Sequence, residues 1–124
     1  MNTERQALIV DDEKDIRDSL SQILKVSNIF TKIFVAPEGG EAFKILNTEK
    51  IDFVLTDVNM RGMNGFKLIE KIKAELGYLP KIFVISGCED NTRLLRVNPI
   101  VVGTFEKPFS VKVLMGKIKE NFSL

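Results

Sequence analysis

Apolar residues along this chain follow two alternating rhythms. Short continuous runs at about residues 6–10, 31–36, 52–57, 81–86 and 101–106 are rich in Val, Ile and Phe. Their length and β-branched content predict five strands. Between them, apolar positions recur every three or four residues, which marks one face of a helix. The sets are Ile16, Leu20, Ile23 and Leu24; Ala42, Phe43, Ile45 and Leu46; Phe66, Ile69 and Ile72, with Lys73 on the flank; and Leu114, Ile118 and Phe122. The stretch between Ser86 and Phe105 has a weaker pattern. It accommodates only a short helix over about Asp90–Val97, because the residue before Pro99 is biased away from helical backbone.

Strand–helix alternation from end to end argues for a parallel sheet with helices on both faces. Near-continuous apolar strands are what a sheet covered on both faces requires. The expected fold is therefore one α/β domain over residues 1–124, a doubly wound five-stranded parallel sheet of flavodoxin-like order 2-1-3-4-5. No repeat, linker or low-complexity segment interrupts it.

Composition narrows the chemistry more than the fold. The chain has 124 residues, 44% hydrophobic and 28% charged, with a formal net charge of +1. That balance is ordinary for a soluble domain and suggests neither a nucleic-acid-binding surface nor an acidic tail. The apolar runs are far shorter than the ~20 residues needed to cross a bilayer, and residues 1–6 lack the apolar core of a signal peptide. A single cysteine, Cys88, excludes an internal disulfide and fits a reducing cytoplasm. The chain contains no histidine, so no Ser-His-Asp or Cys-His nucleophile system can be assembled from it, and an imidazole-free zinc site with one thiol is improbable.

Four polar clusters each follow an apolar run: Asp11-Asp12 after Ala7–Val10, Asp57 after Phe53–Thr56, Ser86 after Ile82–Ile85, and Lys107 after Val101–Glu106. In a parallel sheet all four lie at strand carboxyl ends, along one edge. With strands 1 and 3 adjacent at the switch point, Asp11, Asp12 and Asp57 converge. Three carboxylates that close repel one another unless a cation joins them, and magnesium, a hard ion that shares phosphate oxygens, suits them. Lys107 could neutralise a phosphoryl group and Ser86 could donate to it, while a carboxylate nucleophile forming an aspartyl-phosphate is established covalent chemistry. Each piece also has a plainer reading. Asp-Asp-Glu after a strand makes a good helix start, Asp57 could be a turn residue, Ser86-Gly87 a loop start, and Lys107-Pro108 a strand end. It is their joint occurrence on four strands that weighs against the plain readings.

The stretches Leu8–Glu13, Val54–Met60, Met63–Phe66, Val84–Gly87 and Phe105–Phe109 occur in the order and spacing of a known family. The chain resembles the receiver domains of two-component response regulators, including the single-domain chemotaxis type. The resemblance implies that Asp57 is the phosphoacceptor and that Asp12, with Asp11, binds the metal. It implies that the backbone carbonyl of Asn59 completes a Mg2+ shell, that Ser86 is the switch hydroxyl, and that Lys107 pairs with the phosphoryl group. It also implies a partner histidine kinase or histidine phosphotransfer protein as donor, and a downstream protein bound through the region around residues 88–122. The expected role is a signalling switch in the cytoplasm rather than an enzyme, with hydrolysis of its own aspartyl-phosphate as a side reaction.

Three departures from the family pattern bear on output. Thr104 stands where an aromatic usually precedes the lysine by three residues, and Phe105 is on the wrong alternation to replace it. Arg61 occupies a place where proline is common. Asn98-Pro99-Ile100-Val101 replaces the usual Gly-Ala before the fifth strand. Two further readings therefore stand beside the switch: a phosphorelay intermediate without conformational output, and an unphosphorylated constitutive adaptor.

Overall fold

The structure, a computed structural model, describes residues 4–58, 62–86, 100–106 and 110–124. Strands β1 (Gln6–Val10), β2 (Lys32–Ala36), β3 (Phe53–Asp57), β4 (Lys81–Ser86) and β5 (Val101–Glu106) form one sheet. Its order is β2-β1-β3-β4-β5, and every pairing is parallel. Helices α1 (Lys14–Ser27), α2 (Gly39–Thr48), α3 (Gly65–Glu75) and α4 (Val111–Asn121) complete the described elements. This is the expected doubly wound arrangement. The short helix expected over 90–97 lies outside the described residues.

Successive side chains on a strand point to opposite faces, and the inner strands use both. Leu8, Val10 and Val54 pack with Ala42 and Leu46 of α2 and Leu68, Ile69 and Ile72 of α3. Ala7, Ile9, Phe53 and Leu55 pack on the other face with Leu20 and Leu24 of α1 and Leu114 and Ile118 of α4. A row of aromatics runs through this second layer: Phe30 stacks on Phe53 at 5.2 Å, Phe53 meets Phe83 at 5.4 Å, and Phe83 stacks on Phe105 at 5.6 Å. Such offset pairs add to the energy of simple burial.

Four details differ from the sequence pattern. Continuous burial holds for the inner strands, whereas Val35 of the edge strand β2 and Val102 of the edge strand β5 are exposed among the described residues. Between β4 and β5 the register steps from Ile82–Val101 to Phe83–Gly103, leaving Val102 as a bulge. The buried stripe of α3 is Leu68, Ile69 and Ile72, with Phe66 only half-buried. The first helix is not capped by an aspartate: its N-cap is Glu13, whose side chain makes no cap hydrogen bond.

A candidate acidic site at the carboxyl edge of the sheet

Sheet register creates the site. Val10 of β1 pairs with Thr56 of β3, so the next residues, Asp11 just beyond β1 and Asp57 at the end of β3, stand side by side. Both are buried, Asp11 to 1% and Asp57 to 5% exposure, while Asp12 is half-buried. One carboxylate oxygen from each of Asp11, Asp12 and Asp57 lies within 4.8 Å of the others. The sequence expectation that these three converge is met.

The backbone around them is held tightly. The Asp11 N–H donates to the Ala36 carbonyl at 3.1 Å, and its carbonyl accepts from Arg17 Nη1 at 2.7 Å. Asp11 Oδ1 accepts from the Glu13 N–H at 2.9 Å. That bond redirects the chain out of β1 and into α1, so the acidic pair serves the site instead of the helix cap. On the other strand, Thr56 Oγ1 donates to the Asp57 carbonyl at 2.9 Å, and the Val58 N–H reaches Ile85 O at 3.2 Å. The Gly65 N–H then donates to Val58 O at 3.0 Å, closing the loop from β3 to α3.

The donor set fits a hard divalent cation. It is oxygen-only and carries up to three negative charges in a small volume, where mutual repulsion is relieved by a bound ion. Thiolate and imidazole, the ligands that favour softer metals, are absent from the triad. The remaining expected site residues are less fully placed. Ser86 ends β4, one step beyond Ile85, the partner of Asp57, and pairs in register with Glu106 of β5. That places the Ser86 backbone, and the chain position preceding Lys107, at the same sheet edge as Asp57. Asn59 and Lys107 lie outside the described residues.

Thr104 and Phe105 take opposite faces of β5, as the alternation predicts. Phe105 is buried against Phe83 on the α1/α4 side, whereas Thr104 is partly exposed. Sequence reasoning passed over Arg17, whose signal was a basic residue in the early turns of a helix, where the dipole disfavours it. It also passed over Gly39 and the spatial role of Gly65. An apolar groove of about 850 Å³ runs between α1 and α4, lined by Asp18, Ile23, Val26, Val111, Met115 and Lys119 among others; the acidic triad is not part of it.

Comparison with known proteins agrees with this geometry. The model of the response regulator receiver domain matches residues 7–119. The chemotaxis protein CheY of Pseudomonas aeruginosa is 32% identical over 117 residues, covering 93% of this chain and 94% of that protein. A putative response regulator, NtrX-like, from Rickettsia bellii is 37% identical over 108 residues, which span 83% of this chain and 22% of that longer protein. The crystal structure of a CheY-like response regulator receiver domain protein from Methanospirillum hungatei superimposes with a TM-score of 0.84 at 28% identity, over 97% of this chain and 94% of that one. Among the described residues, no helix is long and apolar enough to cross a membrane.

Proposed function

The chain belongs to the response regulator receiver domain family, and we propose that it is a phosphoacceptor switch that takes a phosphoryl group on Asp57 in a Mg2+-dependent step. The observation that carries this reading is the convergence of Asp11, Asp12 and Asp57 within 4.8 Å at one sheet edge. In this proposal residues 1–124 act as one receiver domain in the cytoplasm. The donor is a phosphohistidine of a partner histidine kinase or phosphotransfer protein, since the chain has no histidine of its own.

Asp57 supplies a carboxylate oxygen to the phosphorus while the donor imidazole leaves. Asp11, Asp12 and Asp57, with the backbone carbonyl of Asn59 that the family resemblance implies, would hold the cation, which would supply charge neutralisation where the negative phosphoryl group meets a negative site. Lys107 pairs with the transferred phosphoryl group and Ser86 donates to one of its oxygens. These two contacts favour one of two conformations, and the bias reaches a downstream protein through residues 88–122. A change from 1:99 to 99:1 requires about 5.5 kcal/mol of differential stabilisation. Hydrolysis of the aspartyl-phosphate resets the domain.

The experiment is intact mass after incubation with a small-molecule phosphodonor, with and without magnesium, for wild type and Asp57→Asn. One added phosphoryl group that needs both the metal and Asp57 is the expected outcome. No adduct, together with no binding of a phosphoryl mimic, would turn the assignment to a constitutive adaptor. One observation favours a second reading, a relay intermediate without conformational output: Thr104, partly exposed on β5, stands where the family usually carries an aromatic. Rapid back-transfer to a phosphotransfer protein, with no change in partner affinity on phosphorylation, would support it.

A further inference from the structure

We propose that residues 36–39, from the end of β2 to the start of α2, form a strap that sets the spacing of the two chain segments carrying the acidic triad, with Gly39 as a positioning residue for metal binding. The inference rests on the reading of that triad as a cation site. Asp11 follows β1 and Asp57 ends β3, and like charges at this separation push the two chain segments apart when no cation bridges them. Their spacing must therefore be held by neutral backbone contacts.

The segment Ala36-Pro37-Glu38-Gly39 makes such contacts at both ends. The carbonyl of Ala36 accepts from the Asp11 N–H at 3.1 Å, and the Gly39 N–H donates to the Met63 carbonyl at 2.9 Å. Met63 belongs to the loop that runs from Asp57 to α3. One end of the segment thus grips the chain at Asp11 and the other end grips the loop that follows Asp57. Pro37 fixes φ in the middle of this short span. The Glu38 carboxylate caps α2, accepting from the Glu41 N–H at 2.7 Å in its first turn.

Gly39 is the point of closest approach. It is buried, and a Cβ there would lie 2.6 Å from the Met63 carbonyl oxygen, 2.8 Å from its Cγ and 2.9 Å from its Cβ. The nearest obstacle is backbone, so any side chain at 39 must move either α2 or the loop beyond Asp57. The next glycine behaves differently. A Cβ at Gly40 would meet only the carboxylate end of Glu38, at 2.5 Å, which can swing away at the expense of the α2 cap and not of the two strap contacts. Two adjacent glycines in the same helical turn therefore separate a strap contact from simple helix packing.

The test measures the Mg2+ dissociation constant by isothermal titration calorimetry, alongside thermal stability without metal, for the full chain and four variants. Gly39→Ala is expected to weaken Mg2+ binding by about tenfold, the lower range for residues that orient metal ligands indirectly. Gly40→Ala should bind as wild type does. Leu46→Ala, a buried position of α2 outside the strap, should lower stability at least as much as Gly39→Ala yet leave Mg2+ affinity unchanged. Pro37→Gly keeps both hydrogen-bonding groups and slackens the strap; it should weaken Mg2+ binding, and it carries the test if Gly39→Ala does not fold. Wild-type affinity in Gly39→Ala or, should that variant not fold, in Pro37→Gly overturns the inference, and so does an equal loss of affinity in Leu46→Ala. A wild-type protein that binds no Mg2+ overturns the proposed function and the strap together, which separates the two failures.

Discussion

A methyl group on residue 65 would sit 2.5 Å from the Asp57 carbonyl oxygen and 2.9 Å from the Val58 Cα. Gly65 is the first residue of α3, so the helix begins in direct backbone contact with the end of the strand that carries the candidate nucleophile. Overpacking of this kind typically costs about 1–3 kcal/mol. Gly65→Ala is therefore expected to lower stability by that amount in chemical denaturation and to slow phosphorylation of Asp57, whose backbone must shift to make room. Unchanged stability and phosphorylation would mean that the contact relaxes freely. Arg17 shows the same dependence on surroundings. Its guanidinium is committed to the Asp11 carbonyl, a contact six residues away in sequence that becomes specific only once α1 leaves β1 at its observed angle. Asp11, Asp12 and Asp57 could be picked out from strand ends alone, whereas Gly39, Gly65 and Arg17 could not, because their roles depend on distances across elements.

At the scale of elements, the connections that frame the site are locked from the opposite end of the sheet as well. The Tyr78 hydroxyl accepts from the Ile51 N–H at 2.9 Å and reaches the carbonyls of Leu46 at 2.9 Å and Glu49 at 2.8 Å. One side chain after α3 thereby ties the end of α2 to the start of β3. Tyr78→Phe should cost about 1 kcal/mol, the net value of a typical hydrogen bond, with a larger loss where the Ile51 N–H is left dry. Burial raises the Tyr78 pKa above its ordinary value of 10.0, the Ile51 N–H opposes that rise, and Asp52 adds to it. The folded state thus holds this proton more tightly than the unfolded state. Its stabilising contribution is complete below the unfolded pKa and is lost as pH rises through the raised folded value. Denaturation midpoints measured between about pH 9 and pH 11 should fall for wild type and fall less for Tyr78→Phe; parallel curves would remove Tyr78 from the account.

Periodicity found all nine described elements and their types. It missed the bulge at Val102, because an extra residue in an edge strand leaves the apolar run intact. It also placed Phe66 in the α3 stripe and left out Leu68, since a helix lying in a groove between sheet and neighbour buries a wider arc than one line of contacts.

For the whole molecule, a cation held by the acidic triad in the proposed way would make folding and cation binding one linked equilibrium. A ligand that binds only the folded state stabilises it by about 2.7 kcal/mol at a hundred times its dissociation constant. Magnesium should therefore raise the melting temperature of wild type, and Asp57→Asn, which keeps the shape but removes one charge, should show a smaller rise. The same substitution should raise the melting temperature measured without metal, because less like charge is then buried at the edge. A metal-independent melting temperature in wild type would contradict the first statement, and a metal-free value for Asp57→Asn at or below that of wild type would contradict the last.

Amino-acid order by itself determined the fold class of this protein and the membership of its acidic site. Strand and helix periods are local properties, and parallel strands with covering helices put every strand's carboxyl end on the same edge. Residues at those ends are therefore neighbours before any coordinates are known. Tertiary structure alone decided how close they come and what holds them there. The Val10–Thr56 register, the Arg17 contact to Asp11, and the glycines at 39 and 65 that admit backbone against backbone are all long-range facts. They arise because close packing is a property of surfaces brought together from distant parts of the chain, and no period along one segment encodes the gap to another.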